Sequence, residues 1–236
     1  MSNFELIYAG YSTVPDYLRY RESYPSLVSE KADLKDVQRP WALEKIKELV
    51  PQGAEVVDLG GSRAELADAL STHAQVTVID PYDGSGNGPT NVDFYRNKFP
   101  RVTFRAELLT TRTEIPRQRA VVSTSVVEHI APQFHAETVA AIDSVLEVGG
   151  YSVHAVDLTC RGRNGFMESQ IGLNQSWADA HCPGLNVREL VTRMLSDVET
   201  FFLPVTMYVQ WKKTKAYEEY PWRNVGTLNT VFRKIR

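Results

Sequence analysis

A segment in the first third of the chain has the pattern of a buried strand, a tight turn and the start of a helix. The apolar run from Ala54 ends at Asp58, glycines follow at positions 60 and 61, and a helical pattern continues to Leu70. Strands that alternate with helices in this way form parallel α/β sheets with right-handed crossovers. The segment therefore predicts an α/β fold with Asp58 at the end of a central strand.

A second strand-end acid follows at the spacing of a nucleotide-binding site. The apolar run from Gln75 ends in Asp80, which lies 22 residues after Asp58. In an open α/β sheet, ligands bind outside the carboxyl ends of the strands, and an acid about 20 residues after the glycine turn typically binds a ribose. The two acids predict a nucleoside site, with Asp80 at the ribose.

The turn departs from the dinucleotide pattern G-x-G-x-x-G. Counted from Gly60, the third and sixth positions hold Ser62 and Glu65 instead of glycine. The negative charges of Asp58 and Glu65 would also repel a pyrophosphate. We therefore expect a cationic nucleoside.

This segment resembles motif I of the class I S-adenosylmethionine-dependent methyltransferases, in which a strand ends in D/E-x-G-x-G-x-G. Asp58 and Gly60 match the motif, whereas Ser62 and Ala64 stand where the family usually has its later glycines.

Two further segments resemble the same family. Residues 123–129 (Ser-Thr-Ser-Val-Val-Glu-His) are similar to its fourth-strand motif, and the Gly-Gly-Tyr sequence at 149–151 is similar to its fifth-strand entry. With motif I, the resemblance covers residues 54–157. It implies S-adenosylmethionine as the cofactor, with Asp58 at its cationic amino-acid end. Glu107 either reaches the adenine amino group or faces solvent. The cofactor-binding residues that the resemblance implies are Asp58, Gly60, Gly61, Ser62, Asp80, Pro81, Glu107, Leu108 and Ser125.

The predicted fold is a Rossmann-like, seven-stranded, mostly parallel sheet with helices on both faces, in a single domain over residues 1–236. Residues 1–50 form an N-terminal helical or lid segment, 54–157 the cofactor-binding core, and 158–236 the acceptor loops and final strands, with a loop at 159–185. Strands are predicted at 54–58, 75–80, 102–108, 120–129, 149–157, 199–210 and 227–232, and helices at 40–49, 134–148 and 187–195, the last capped by Asn186.

Two histidines are candidates for a general base. His129 lies on the rim where the fourth strand ends, and imidazole titrates near neutral pH. His154 and Asp157 lie at the end of the fifth strand, three residues apart, so they point to opposite faces. A buried, hydrogen-bonded role for His154 is an equal alternative, and His181 is interpreted as a lid residue.

The composition disfavours several classes of ligand. A net charge of −3 and a pI near 6.0 provide no basic surface for nucleic acid. Histidines and acids lack metal-ligand spacing, so no metal is expected. No segment has the length of a membrane span or the pattern of a signal peptide, and the wide spacing of Cys160 and Cys182 indicates free thiols. We predict a cytoplasmic protein and leave homo-oligomerisation open.

The predicted activity is methyl transfer to a small-molecule hydroxyl, with nitrogen as the second choice. Arg161, Arg163 and the basic, aromatic run 211–223 are interpreted either as contacts for an anionic or sugar-containing acceptor or as a solvated hairpin. The alternatives are a noncatalytic methyltransferase-like partner subunit, which Ser62 and Ala64 leave open, and a nicotinamide-dependent oxidoreductase.

Overall fold

A computed structural model describes residues 2–85, 88–160, 166–207 and 224–236. The strands are β1 (Phe4–Gly10), β2 (Glu55–Leu59), β3 (Gln75–Asp80), β4 (Val102–Ala106), β5 (Gln118–Thr124), β6 (Leu146–Thr159) and β7 (Val225–Lys234). The helices are α1 (Val14–Ser23), α2 (Lys35–Leu49), α3 (Glu65–Leu70), α4 (Val92–Lys98), α5 (His135–Val145), α6 (Phe166–His181) and α7 (Val187–Ser196).

The strands form one seven-stranded sheet in the order β1-β7-β6-β5-β2-β3-β4. β7 runs antiparallel to both of its neighbours, β1 and β6, whereas the pairs from β6 to β4 are parallel. The predicted mostly parallel, seven-stranded sheet is therefore confirmed.

Helices cover both faces of the sheet, as predicted. Side chains alternate along each strand, so Val56 of β2 packs with α2 and α3, while Val57 packs in the cluster formed with α5, α6 and α7. β5 alternates in the same way, with Val122 on the first face and Val121 on the second. Nearly continuous apolar strands of this kind are typical of a parallel sheet that is buried on both sides.

The prediction of a strand at 199–210 is wrong. The sheet instead reaches seven strands because the N-terminal segment forms β1. Residues 201–204 have no regular structure, residues 205–207 are helical, and the rest of the predicted strand lies outside the described residues. β1 pairs with β7 from Phe4 opposite Lys234 to Gly10 opposite Asn229, so this edge of β7 is already occupied. The N-terminal segment therefore contributes a strand as well as helices.

The predicted loop at 159–185 instead contains α6. Its buried residues Ile171, Asn174, Trp177 and His181 recur at helical spacing. Two of these four are polar, so the hydropathy pattern did not indicate a helix. The predicted cap of α7 is confirmed, because the Asn186 side chain accepts a hydrogen bond from the Glu189 backbone N–H at 3.1 Å.

Cys160 and Cys182 are both buried. Within the described ranges, no helix combines the length and the apolar character needed to cross a membrane.

Candidate functional site at the carboxyl edge of the sheet

The carboxyl ends of β2, β5 and β6 bring Asp58, Ser125 and Asp157 to one edge of the sheet. Because these three strands are parallel neighbours, the turns that follow them lie side by side. The turn after β2 contacts the turn after β5 directly, since a Cβ added at Gly60 would lie 2.6 Å from Cγ2 of Val126. Gly60 also has a left-handed backbone, with φ of 66°, so a larger residue here would be strained as well as crowded.

Asp58 is the most constrained acid of this edge. It is 1% exposed, and its Oδ2 has no hydrogen-bond partner among the described residues. Burial, with the negative charges of Asp80 and Glu65, raises the pKa of Asp58 to about 7, against the opposing charge of Arg39. A buried carboxylate oxygen without a donor is a binding position for an N–H donor, and a cationic donor would stabilise it best.

The glycine turn leaves room only for backbone beside this oxygen. A Cβ added at Gly61 would lie 2.6 Å from Oδ2 of Asp58. Ser62 and Ala64 both have left-handed backbones, with φ of 47° and 61°. The two replacements therefore retain the conformation that glycine adopts readily.

Asp80 fixes the two loops on either side of it. Its Oδ2 accepts a hydrogen bond from the Ser62 backbone N–H at 3.2 Å, and its Oδ1 accepts one from the Tyr82 N–H at 2.8 Å. The Tyr82 hydroxyl donates to the Ser62 carbonyl at 3.0 Å, which ties the loop containing Pro81 to the glycine turn. Each carboxylate oxygen keeps a lone pair that a ribose hydroxyl could use.

Glu107 and Leu108 follow β4, the outermost strand on this side of the sheet. Glu107 forms an ion pair with Arg105, with 2.5 Å between its Oε1 and Nε. Leu108 is 69% exposed. The pair therefore lies two strands away from Asp58, at the far end of the edge.

Ser125 belongs to a buried network that the sequence analysis did not predict. Its hydroxyl lies 2.7 Å from Oε1 of Gln38 and 3.0 Å from Oδ1 of Asp157, and Nε2 of Gln38 donates to the same Oδ1 at 2.8 Å. Gln38 is fully buried. Its spacing from Trp41 and Ala42 on α2 puts it on the apolar side of that helix, and a polar residue at such a position was the available signal.

Glu128 lies in the short helical turn Val127–His129 after β5 and faces Asp157. Both of its carboxylate oxygens are buried and have no donor within the described part of the chain. Burial, and then the charge of Asp157, raise the pKa of Glu128 well above its usual range. The sequence analysis included Glu128 only as part of the segment at residues 123–129 and assigned it no chemical role.

The two candidate bases occupy different environments. His129 is exposed on the same turn as Glu128. His154 is fully buried on the opposite face, where Nδ1 lies 2.8 Å from the Ser123 hydroxyl and Nε2 lies 2.6 Å from the Ser152 hydroxyl. This geometry favours the structural role for His154.

Several predicted acceptor contacts are placed differently or cannot be placed. His181 is not a lid residue, because it is buried with its ring stacked on Phe232 at a centroid distance of 4.2 Å. Arg161, Arg163 and the run 211–223 lie outside the described residues. Among the residues that are described, no group of three or more histidines, cysteines or acids could hold a metal.

The site residues fit a cationic nucleoside. Asp58 offers a buried carboxylate oxygen that has no partner among the described residues, the Gly60–Gly61 turn lies directly against this oxygen, and Asp80 lies at the end of the adjacent strand. The arrangement is the strand-end acid pair expected from the sequence.

Comparison with solved structures identifies the fold. The chain is similar to a putative sarcosine dimethylglycine methyltransferase from Galdieria sulphuraria, at 15% identity over 94% of this chain and 97% of that chain, with a TM-score of 0.53. It is similar to a 4+2 cyclase, SpnF, at 15% identity over 82% of this chain and 80% of that one, with a TM-score of 0.50. At this identity the likeness shows the fold, which is the Rossmann-like fold of class I S-adenosylmethionine-dependent methyltransferases. No protein-family model and no curated protein matches the chain.

Proposed function

We propose that the protein transfers a methyl group from S-adenosylmethionine to a small-molecule acceptor. The observation that carries this proposal is the buried Asp58 carboxylate, whose Oδ2 has no partner among the described residues and lies beside a glycine turn. When bound, the cofactor supplies a methyl group that is already electrophilic because it is attached to a sulfonium. The protein then has to bind, orient and deprotonate the acceptor.

The electrostatics of the site support a cationic nucleoside over a nicotinamide dinucleotide. Asp80 and Glu65 act on Asp58 as neighbouring negative charges. Arg39 is already engaged with Glu65, at 3.1 Å between its Nη2 and Oε2. A pyrophosphate would therefore meet net negative charge, whereas an amino group would be attracted.

The residues divide between the cofactor and the acceptor. Asp58 would accept hydrogen bonds from the amino group of the cofactor, Asp80 would accept them from the ribose, and Glu107 would accept one from the adenine amino group. The turn after β5 would face the acceptor, and the exposed His129 stays a candidate base. The sequence-based order of hydroxyl before nitrogen stays a prediction at this level, since the fold does not distinguish the two acceptors.

Calorimetric titration with S-adenosylhomocysteine tests the cofactor site. Asp80→Ala should weaken binding by about 1–3 kcal/mol, because hydrogen bonds to a charged acceptor are lost. Asp83→Ala is the matched control, since Asp83 is exposed on the same loop and should leave affinity unchanged. NADH should compete far more weakly than S-adenosylhomocysteine.

Three results would contradict parts of this proposal. Unchanged affinity in Asp80→Ala would show that the ribose lies elsewhere. Comparable affinities for NADH and S-adenosylhomocysteine would support an oxidoreductase. Tight S-adenosylhomocysteine binding without methyl transfer to any acceptor, in a protein whose turn is intact, would support the noncatalytic partner subunit.

A further inference from the structure

Glu128 and Asp157 form a buried pair of carboxyl groups at the carboxyl edge, beyond the proposed cofactor residues. The Glu128 carboxyl lies within hydrogen-bonding range of Asp157, and both of its oxygens lack a donor among the described residues. Two carboxylates cannot donate to each other, so they can hydrogen-bond only by sharing a proton. With one shared proton, the buried pair carries one negative charge, and neither oxygen of Glu128 accepts a hydrogen bond from another group of the described residues.

The surroundings of the pair do not neutralise it. Asp157 already accepts two hydrogen bonds on Oδ1, from Gln38 and Ser125, which hold its orientation. Lys35 is close enough for its positive charge to lower the pKa of both carboxyls, and Asp33 contributes a negative charge on the side of Asp157. Within the described part of the chain, the pair with its shared proton and Asp33 therefore carry two negative charges against the one positive charge of Lys35.

The Glu128–Asp157 pair lies beside the proposed nucleoside site, where an acceptor would have to bind. Asp157 contacts α2, so it lies on the same face of the sheet as Asp58. The turn that carries Glu128 begins one residue after Val126, whose side chain contacts the glycine turn at Gly60. The acids therefore lie next to the nucleoside site, on the side away from Asp80 and Glu107.

We infer that the Glu128–Asp157 pair binds the acceptor and that the acceptor presents an amino group. The inference rests on the proposed function and names the class of its substrate. An ammonium supplies positive charge and up to three N–H donors, whereas a hydroxyl supplies one donor and no charge. An anionic group would be repelled by the pair. The buried negative charge of the pair thus favours a nitrogen acceptor over the hydroxyl acceptor that the sequence analysis preferred. That earlier preference was not based on any particular residue.

Glu128 would take up and later release the proton that the amino group must lose before methyl transfer. A proton of the ammonium passes to the Glu128 carboxylate, which leaves a neutral amine with a free electron pair. This pair would form the new C–N bond to the methyl group that the bound cofactor would supply, and the electrons of the broken C–S bond would stay with the leaving thioether. The methylated ammonium leaves, and Glu128 returns its proton to water. Asp157, Gln38 and Ser125 act as positioning residues.

Three probes with one carbon skeleton test the inference: benzylamine, benzyl alcohol and benzoate. Their binding to the protein saturated with S-adenosylhomocysteine is measured by calorimetry. Benzylamine should bind at least about tenfold more tightly than benzyl alcohol, and benzoate should bind most weakly. Glu128→Gln should remove about tenfold or more of the benzylamine affinity and leave that of benzyl alcohol unchanged. Glu137→Gln, at an exposed position on α5, is the matched control and should change neither.

The same variants separate this inference from the proposed function. Equal affinity for amine and alcohol, or an equal loss of both in Glu128→Gln, would overturn the amine inference while S-adenosylhomocysteine still binds. If the parent protein does not bind S-adenosylhomocysteine, the proposed function itself is overturned. Thermal unfolding confirms that Glu128→Gln is folded, and Asp157→Asn provides a second variant with the same expected selectivity change.

Discussion

Asp58 combines burial, negative neighbours and an oxygen without a partner in the described structure, so its protonation should control cofactor binding. With its pKa raised to about 7, Asp58 is partly protonated in the free protein at neutral pH. Only the ionised form attracts an ammonium group. Ligand affinity should therefore depend on pH through this one carboxyl.

We predict that S-adenosylhomocysteine affinity falls about tenfold per pH unit as the pH is lowered from about 7 to 5, and levels off above about 8. Calorimetry in buffers of different ionisation enthalpy should detect proton release on binding near pH 6. Asp58→Asn should bind more weakly and release no proton. A pH-independent affinity in the parent protein would show that Asp58 does not contact the amino group.

The same carboxyl should destabilise the free protein at high pH. Because its pKa is higher in the folded than in the unfolded state, the folded state binds more protons between about pH 4 and 7, and its stability falls as the pH rises through that range. Asp58→Asn should accordingly raise the melting temperature of the free protein at about pH 8.

Ser62 stands in the turn where the resembling family usually has a glycine, and its backbone conformation should be strained. Its φ of 47° is unfavourable for a residue with a Cβ, and relieving it should offset the greater entropy of glycine in the unfolded chain. We predict that Ser62→Gly raises the free energy of unfolding by up to about 1 kcal/mol. Ser71→Gly is the control, since Ser71 has an ordinary φ of −62° and should be destabilised. Denaturant unfolding measures both variants. A lower free energy of unfolding for Ser62→Gly than for the parent protein would show that Ser62 is not strained.

At the scale of elements, α6 packs on the sheet through a layer of buried histidines and Trp177. His154 and His181 are bridged by the Ser152 hydroxyl, at 2.6 Å and 3.0 Å from their Nε2 atoms. His181 Nδ1 also lies 3.2 Å from the Trp177 carbonyl. Burial lowers the pKa of His154 well below its usual range and that of His181 to about 3. These histidines are therefore neutral in the folded protein.

Acid should loosen this contact. Because the unfolded state gains protons below about pH 6.5 while the buried rings do not, each histidine contributes a loss of about 1.4 kcal/mol of stability per pH unit below that value. The raised carboxyls act in the opposite direction, so the comparison must be between variants. His181→Asn should reduce the pH dependence by about one proton equivalent between about pH 6 and 5. His129→Asn, at an exposed site, should not. Equal slopes in both variants and the parent would contradict the prediction.

At the scale of the whole molecule, the first described residues form the edge strand of the sheet, next to its C-terminal strand β7. Phe4 of β1 is 4% exposed and lies edge-on to His181 of α6, with 5.1 Å between ring centroids. Asn3 and Asp143 of α5 are joined by a side-chain hydrogen bond of 2.9 Å. The N-terminal segment therefore connects the β7 edge to the helices on one face.

We predict that Phe4→Ala lowers the free energy of unfolding by about 3–5 kcal/mol, because a buried aromatic side chain is removed and a cavity remains. Ile7→Ala on the same strand is the control, since Ile7 is 46% exposed and should cost far less. Urea unfolding of both variants measures the difference. Equal costs would show that β1 is only loosely attached to the core.

The sequence by itself predicted the parallel part of the sheet and the place of the two strand-end acids, because these depend on short-range patterns. The apolar run to Asp58, the glycine turn and the second run to Asp80 are each contained within a few residues, and parallel pairing places their ends together. The turn persists with Ser62 and Ala64 because these residues can adopt left-handed backbones when neighbouring structure holds them there.

The contact between Gln38 and Asp157 and the β1 edge of the sheet were decided only by the tertiary structure. Gln38 meets Asp157 across 119 positions of sequence, and β1 pairs with β7 from the opposite end of the chain. No local period encodes such contacts, since either side chain alone resembles an ordinary helix or strand residue. The free energy of burying Glu128 likewise depends on which groups surround it in space. The burial of Glu128 beside Asp157, on which its proposed role rests, is therefore seen only when α2, β5 and β6 are packed together.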